Sequence, residues 1–322
     1  MRVFRSLESV PDDFGPCAVT IGNFDGVHAA HRQIMRRAVE AATRNGWTSA
    51  VLTFDPHPAK LLAPSRAPRL LTTLAQRCAL IEEQGIDEVL ILPFTQEISK
   101  FTAEQFVEEL LVKRLQARLV LVGDNFRFGH RAAGDTALLR RLGAQLGFST
   151  EIAGTISSRG KIVSSSTIRH LIESGDVSRA CRMLERPHFL EGRVVPGRGI
   201  GSKQTVPTLN LETGAEVLPK TGIYVTRTHD LDDARQWPSV TSVGFNPTFN
   251  GDRLTIETFL LSNFDGGTPK RIRVEFLRRI RDERKFESAE ALKREILRDV
   301  GRAQAWFRRL ERFRADHARY TK

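Results

Sequence analysis

With 322 residues the chain exceeds the usual span of one domain, so two domains are expected. Its 40% hydrophobic and 27% charged content is that of a globular protein; no run of about 18 apolar residues is there to cross a membrane, and MRVFRSLESVPDD is not an apolar secretion signal. Three widely spaced cysteines, Cys17, Cys78 and Cys181, exclude a disulfide framework and a cysteine metal site and fit a reducing cytoplasm, while the net charge of +11 raises nucleic acid as a partner.

From residue 17 onward, apolar runs at 17–21, 50–54, 88–92, 118–122 and, more weakly, 149–153 alternate with helical patterns. Such alternation predicts a mostly parallel sheet covered by helices. The first run leads into TIGNFDGVHAAH, residues 20–31. This reads as a strand, a glycine-rich turn carrying Gly22 and Gly26, then a helix with Ile34, Ala38 and Ala41 on one face. A helix N-terminus offers amides and a positive dipole end to an anion. His28 and His31, three apart, share a face on its first turn. With no acidic or cysteine ligand near, the pair suits a triphosphate better than a metal, although surfaces and cores also hold such pairs. Asn45-Gly46 closes this helix, and Thr102-Ala-Glu-Gln105 reads as a capping box opening another through Phe106, Leu110 and Leu111.

Ligands of such sheets bind beyond the carboxyl ends of the strands, at the switch in strand order. Residues 22–31, 54–58 and 123–129 all lie at strand ends, and these three loops are expected to converge. Phe54-Asp-Pro-His-Pro58 is stiffened by its prolines beside His57. Gly123-Asp-Asn-Phe-Arg-Phe-Gly129 brings amides, aromatics and an arginine to where a planar ring could bind. Ser164-Ser-Ser-Thr-Ile-Arg169 opens a further helix with hydroxyls: a second anion cradle or, taken alone, an ordinary cap.

After Arg186-Pro187 the pattern changes, and a boundary is placed at 184–188. Short β-rich runs at 189–195, 222–227, 240–243, 254–261 and 272–276 predict an antiparallel barrel or sandwich. The glycine-rich stretch 192–204, GRVVPGRGIGSKQ, is neither a Walker A loop nor a dinucleotide fingerprint, and alone it reads as a hairpin loop. In Pro207-Thr-Leu-Asn210 an extended backbone points Thr208 and Asn210 the same way, where their oxygens could hold Mg²⁺ beside ATP phosphates; the same spacing is common in strands. Glu257, in an apolar strand, is either outward-facing or a placed base. From Lys270 to Lys322 there are 18 Lys+Arg against 9 Asp+Glu, so the basic excess lies in the tail. Leu292, Ile296, Val300, Ala303, Phe307 and Leu310 keep helical spacing there. That predicts an amphipathic helix burying this stripe, with a solvated basic face rather than a nucleic-acid site.

GNFDGVHAAH, TFDPHP, VGDNFRFG and SSSTIR, in this order over about residues 15–184, resemble the nucleotidyltransferase module of prokaryotic bifunctional riboflavin kinase/FAD synthetases. The resemblance implies a Rossmann-like fold that transfers AMP from ATP to FMN and releases pyrophosphate, with Mg²⁺. By it, His28 and His31 neutralise the ATP phosphates and Gly22, Phe24, Ser164, Ser165 and Arg169 complete the ATP site, while Phe54, His57, Pro58 and Asn125 seat the flavin. Ala30 stands where the family usually has glycine. The glycine loop, the PTLN element, the strand of Glu257 and residues 243–250 and 276–286 together resemble the riboflavin kinase module, over about residues 188–310. That likeness implies a six-stranded antiparallel β-barrel with a terminal α-helix. By it, Gly197, Gly199, Gly201 and Lys203 cover the nucleotide, Thr208 and Asn210 bind Mg²⁺·ATP, and Glu257 takes the proton of the riboflavin 5′-hydroxyl. Two departures are GSKQTVPTLN, tighter than the usual form, and SNFDGGTPKRI, which lacks an acidic-Leu-Tyr-Gly run. The whole is thus expected to be α/β plus β, with an adenylyltransferase domain at 1–186 and a kinase domain at 187–322, making FMN from riboflavin and FAD from FMN. A kinase carrying a decayed adenylyl module and a nucleic-acid binder using the tail are the alternatives.

Overall fold

The computed structural model describes residues 1–196, 208–248, 251–262, 267–284 and 286–320. Contacts divide the chain into two compact units, Met1–Ser165 and Ser166–Lys322.

The first unit is built on one sheet. Its strands are β1 (Arg2–Phe4), β2 (Cys17–Ile21), β3 (Thr48–Asp55), β4 (Glu88–Pro93), β5 (Ala117–Gly123) and β6 (Ser149–Ala153), in the spatial order β1-β4-β3-β2-β5-β6, every pair parallel. All five residues of β2 are buried, as a strand covered on both faces must be. One face packs Val19, Ile21, Leu52 and Leu90 against Phe106 and Leu110. The other sets Val51 and Val89 against Met35 and Ile81, and Ala18 and Leu121 against Ile34, Ala38 and Ala41. The covering helices are α1 (Ala29–Asn45), α2 (Pro58–Leu62), α3 (Leu74–Glu82), α4 (Ala103–Gln105) and α5 (Thr136–Leu146). Gly46 ends α1 in the left-handed region (φ 66°), as Asn45-Gly46 predicts. The capping box of Thr102 and Gln105 is present in both directions, and Thr73 with Gln76 forms another. Beyond α4 the turn widens to a π-helix, Phe106–Arg114, which buries Phe106, Val107, Leu110 and Leu111 together. A small hairpin, β7 (Ser157–Ser158) and β8 (Lys161–Ile162), completes this unit.

The second unit opens with α6 (Ser165–Glu173) and α7 (Val177–Leu184) and continues into a closed barrel of β9 (His188–Val195), β10 (Thr208–Glu212), β11 (Gly222–Asp230), β12 (Gln236–Thr248), β13 (Gly251–Leu260) and β14 (Arg271–Arg281). The order is β10-β13-β12-β11-β14-β9, antiparallel throughout. Contacts therefore join 166–184 to the barrel, ahead of the change in composition at 184–188: Val177 enters the barrel core, and Ser178 Oγ donates to the Leu277 carbonyl (3.1 Å). The interior is lined by Leu190, Leu209, Leu211, Tyr224, Trp237, Ile256, Ile272, Val274 and Phe276. One stripe of it is polar. Thr226 Oγ1 lies 2.8 Å from Ser239 Oγ and 2.7 Å from Thr241 Oγ1, Ser239 reaches Thr228 (2.9 Å), and Thr241 reaches Thr258 (2.9 Å), all fully buried. Each hydroxyl can give and accept, so none needs water.

The long helix α8 (Ala289–Tyr320) closes the chain. Ala303 and Phe307 pack on Ile223, Val225 and Val240 of the outer barrel wall. Its expected apolar stripe is only half right. Leu292 stays 39% exposed, and the buried positions one and two turns before Ala303 are Asp299 and Glu295. The reason is Arg281 of β14, which reaches Asp299 (2.7 Å) and Glu295 (3.7 Å) and so compensates carboxylates that would otherwise stay in water.

Candidate functional site

The chain leaves β2 for β3 and β4 on one side, then returns to β5 on the other, so the strand order switches between β2 and β5. The loops following β3, β2 and β5 stand side by side at that edge, as expected. The central loop is strained. Phe24 (φ 48°) and Val27 (φ 38°) both take left-handed backbone, which Gly26 (φ 81°) adopts at no steric cost and a β-branched residue does not. Packing and one carboxylate hold it there. Phe24 and Val27 are buried with Met35 and Ile81. The buried Asp25 carboxylate accepts from the amides of Leu71 (2.8 Å) and Thr72 (3.2 Å), and Gly26 N donates to Thr72 Oγ1 (3.2 Å). Asp25 is a residue to which sequence reasoning gave no role; its place inside a glycine turn was the available signal.

His28 is the N-cap of α1, in extended conformation and with no side-chain capping bond, and no acidic residue occupies the first turn. Ala29, Ala30 and His31 thus present amides for which the helix itself has no acceptor. The rings of His28 and His31 stack, with centroids 3.6 Å apart and planes 18° from parallel, and Phe24 meets His31 edge-on (5.1 Å). Burial, and then the neighbouring His28, hold the His31 imidazolium well below the ordinary histidine range. Burial thus works against the charged ring, and a phosphate at the helix start would favour it. Its Nδ1 is buried and meets no hydrogen-bond partner among the described residues.

At the neighbouring strand ends, Phe54 is half-buried and lies edge-on to Phe94 (5.8 Å). His57 caps α2, its Nδ1 accepting from Ala59 N (3.1 Å), so the neutral ring carries its proton on Nε2; Pro58 opens the helix. Asn125 is exposed in the turn after β5, where Phe126 stacks on Phe128 (5.5 Å). Gly22 approaches the Phe24 ring so closely that a Cβ there would stand 3.2 Å from it. Ser165 Oγ donates to the Asp25 carbonyl (2.9 Å), which brings Ser164-Ser165 to the central loop. Arg169, one turn on, belongs by its contacts to the second unit.

The second constellation lies on the outer barrel wall. Leu209 and Leu211 point into the barrel, so Thr208 and Asn210 face out. In the β10–β13 ladder Asn210 stands opposite Glu257 and Thr208 opposite Phe259, which gathers three oxygen-bearing side chains on one face. Glu257 lines a groove of ≈ 700 Å³ between barrel and α8, with Val240, Ser242 and Phe259 on one wall and Leu292, Ile296 and Val300 on the other. Burial raises the pKa of Glu257, and the Glu283 carboxylate raises it further. A carboxylate so tuned is a better base toward a hydroxyl near neutral pH. A second hollow of ≈ 720 Å³ is bounded by Arg193, Thr208, Lys270 and Arg271. Gly197, Gly199, Gly201 and Lys203 lie outside the described residues. Hard, largely neutral oxygens at Thr208 and Asn210 beside a carboxylate suit Mg²⁺, which takes few protein ligands and keeps phosphate and water.

Comparison with known proteins covers both constellations. The family model for FAD synthetase matches residues 10–167, and that for riboflavin kinase matches 184–307. The chain is 36% identical over 306 residues to a bifunctional riboflavin kinase/FMN adenylyltransferase of Pseudomonas fluorescens, covering 95% of this chain and 97% of that one. It is 33% identical over 307 residues, with the same coverage, to the enzyme of that name in Escherichia coli K12. In fold it is similar to the solved structure of a protein described as a macrolide-efflux protein from Streptococcus pneumoniae (TM-score 0.84, 24% identity, 95% of this chain and 100% of that one). With two family models following each other along it and relatives matched almost end to end, the chain belongs to the bifunctional riboflavin kinase/FMN adenylyltransferase family.

Proposed function

We propose that this chain phosphorylates riboflavin to FMN and then transfers AMP from a second ATP to FMN, giving FAD and pyrophosphate. The observation that carries the reading is that one chain holds two chemically different sites: a stacked histidine pair over a helix start and, on the barrel, a carboxylate of raised pKa in a groove with an apolar wall. We assign adenylyl transfer to residues 1–186 and the kinase to 187–322.

In the kinase, the groove of Leu292, Ile296 and Val300 offers an apolar wall to the flavin ring, and Glu257 takes the proton of the 5′-hydroxyl as that oxygen attacks the γ-phosphorus of ATP and displaces ADP. Thr208 and Asn210 would hold Mg²⁺, which when bound neutralises phosphate charge; the glycine stretch with Gly197, Gly199, Gly201 and Lys203 covers the nucleotide. In the adenylyltransferase, Phe54, His57, Pro58 and Asn125 seat FMN. Its phosphate attacks the α-phosphorus of ATP, and no protein nucleophile is needed. Gly22 and Phe24 shape the loop, while His28, His31, Ser164 and Ser165 with the α1 amides meet the charge that moves to pyrophosphate. His31 acts there as a hydrogen-bond donor. Free Cys17, Cys78 and Cys181 favour a cytoplasmic setting, and among the described residues no helix is long and apolar enough to cross a membrane.

The test supplies riboflavin, ATP and Mg²⁺ and resolves flavins by chromatography. FMN and FAD both accumulate in the wild type. His28→Ala stops at FMN, whereas Glu257→Ala makes no FMN but still converts added FMN to FAD. Loss of both activities in either folded variant would falsify the division into two sites.

A further inference from the structure

The chain buries an arginine beside the first site and uses it to join two loops. Arg77 lies on α3 with 3% of its surface exposed. Its Nη1 donates to the carbonyl of Asn23 (2.7 Å), in the loop after β2, and its Nη2 to the carbonyl of Phe54 (3.3 Å), at the end of β3. Thr53 Oγ1 donates to the same Asn23 carbonyl (3.3 Å). Burial works against this guanidinium, and Asp55 and Asp25, one from each loop, favour it. Burying a cation without an ion pair in contact is unfavourable, and an apolar side chain would fill α3 at less cost. What the guanidinium adds is geometry. Its donors sit in a rigid planar fork, so two carbonyls bound to one fork are held at a set separation, whereas the three donors of a lysine share one rotatable head and fix none.

We propose that Arg77 is a positioning residue of the adenylyl-transfer site, fixing the ATP loop at 22–28 against the flavin wall at 54–58. The inference rests on the reading of that site given above. Arg77 touches the backbone of both loops, so it acts through them. The two loops hold the two reactants, and in-line attack tolerates little error: a misplacement of about 1 Å can cost about 10²-fold in rate. The fork thus sets the distance between FMN phosphate and ATP.

The experiment compares Arg77→Met, Arg77→Lys and His28→Ala in the full chain, varying FMN and ATP separately and assaying the kinase on the same samples. Arg77→Met is expected to raise KM for FMN by about tenfold or more and to lower kcat, with KM for ATP within about threefold and riboflavin phosphorylation unchanged. Arg77→Lys, which keeps the cation but not the planar fork, falls between. Wild-type KM for FMN in both arginine variants, with His28→Ala inactive in FAD formation, overturns the inference and leaves the site reading standing. A fall in kcat no larger than the loss of folded chain, with both KM values kept, overturns it as well. His28→Ala as active as the wild type overturns the site reading itself.

Discussion

The groove of Glu257 has one wall on the barrel and one on α8, so on the function proposed above whatever pins α8 governs riboflavin binding. The pin is Arg281. Its Nη2 lies 2.7 Å and its Nε 3.0 Å from Asp299 Oδ2, and Asp299 is 2% exposed. Arg281→Met keeps much of the volume and removes the charge. Breaking a buried pair from one side costs about 3–5 kcal/mol, because the remaining carboxylate stays buried without its partner. Arg302, half-exposed and 3.4 Å from Asp299, offsets less than about 1 kcal/mol of that. A net loss of about 3 kcal/mol lowers the melting temperature of a domain of about 150–250 residues by about 6–12 °C. Calorimetry and the temperature of half-inactivation of the kinase read this directly, with FAD formation from added FMN as the control that stays put. At 25 °C the KM for riboflavin rises as the wall loosens. Adding Asp299→Leu to Arg281→Met removes the stranded carboxylate and recovers most of the loss. A single variant that melts within 2 °C of the wild type, or a double variant no more stable than the single, refutes the reasoning.

Glu257→Gln lowers riboflavin phosphorylation by about 10²–10⁴-fold while FMN adenylylation keeps its rate; a kinase above a tenth of wild-type activity is the adverse result. Because Glu257 titrates above the ordinary carboxylate range, kinase activity falls on the acid side at a higher pH than an ordinary carboxylate dictates, and Glu283→Gln moves that limb to lower pH. A limb that does not move removes Glu283 from the tuning. His188, buried in the barrel with Arg186 near, has its pKa pushed down to about 3, mainly by burial. The unfolded chain takes up that proton first, near pH 6.5, so the stabilisation is present above that value and declines below it, by about 2 kcal/mol at pH 5. Thermal melts of the barrel at pH 7 and 5 show this slope, and His188→Phe flattens it.

The elements with strong periodicity were legible. Strands β2 to β6 and the αL ending at Gly46 follow from apolar runs and turn chemistry, and the loop positions follow from the parallel sheet that the alternation predicts. What escaped the sequence was decided by long-range pairing. β1 is three residues long and exists because β4 offers an edge, with Arg2 paired to the buried Glu88. Arg77 in TTLAQRCAL has the look of a solvated helix charge, and only the carbonyls of Asn23 and Phe54, remote in sequence, make it an interior residue. Glu295 and Asp299 likewise have the look of polar surface in the sequence, since Arg281 lies on another element. The lowered pKa of His31 depends on burial and on a ring 3.6 Å away, neither of which a two-residue gap conveys. Ala30, the departure from the family's glycine, falls in the first turn of α1, where the backbone is helical and alanine is the most favourable residue.

The hydroxyl stripe inside the barrel bears on catalysis from the hidden side of the wall. Thr258 hangs from Thr241 within the barrel, and Glu257, the next residue along β13, emerges on the other face. If β13 slid by one position its inward and outward residues would exchange, so that Glu257 would turn into the interior and Thr241 would lose Thr258. The stripe therefore works as a ratchet pawl for strand alignment: it makes the misthreaded barrel unfavourable and so keeps the Glu257 carboxylate on the outer wall.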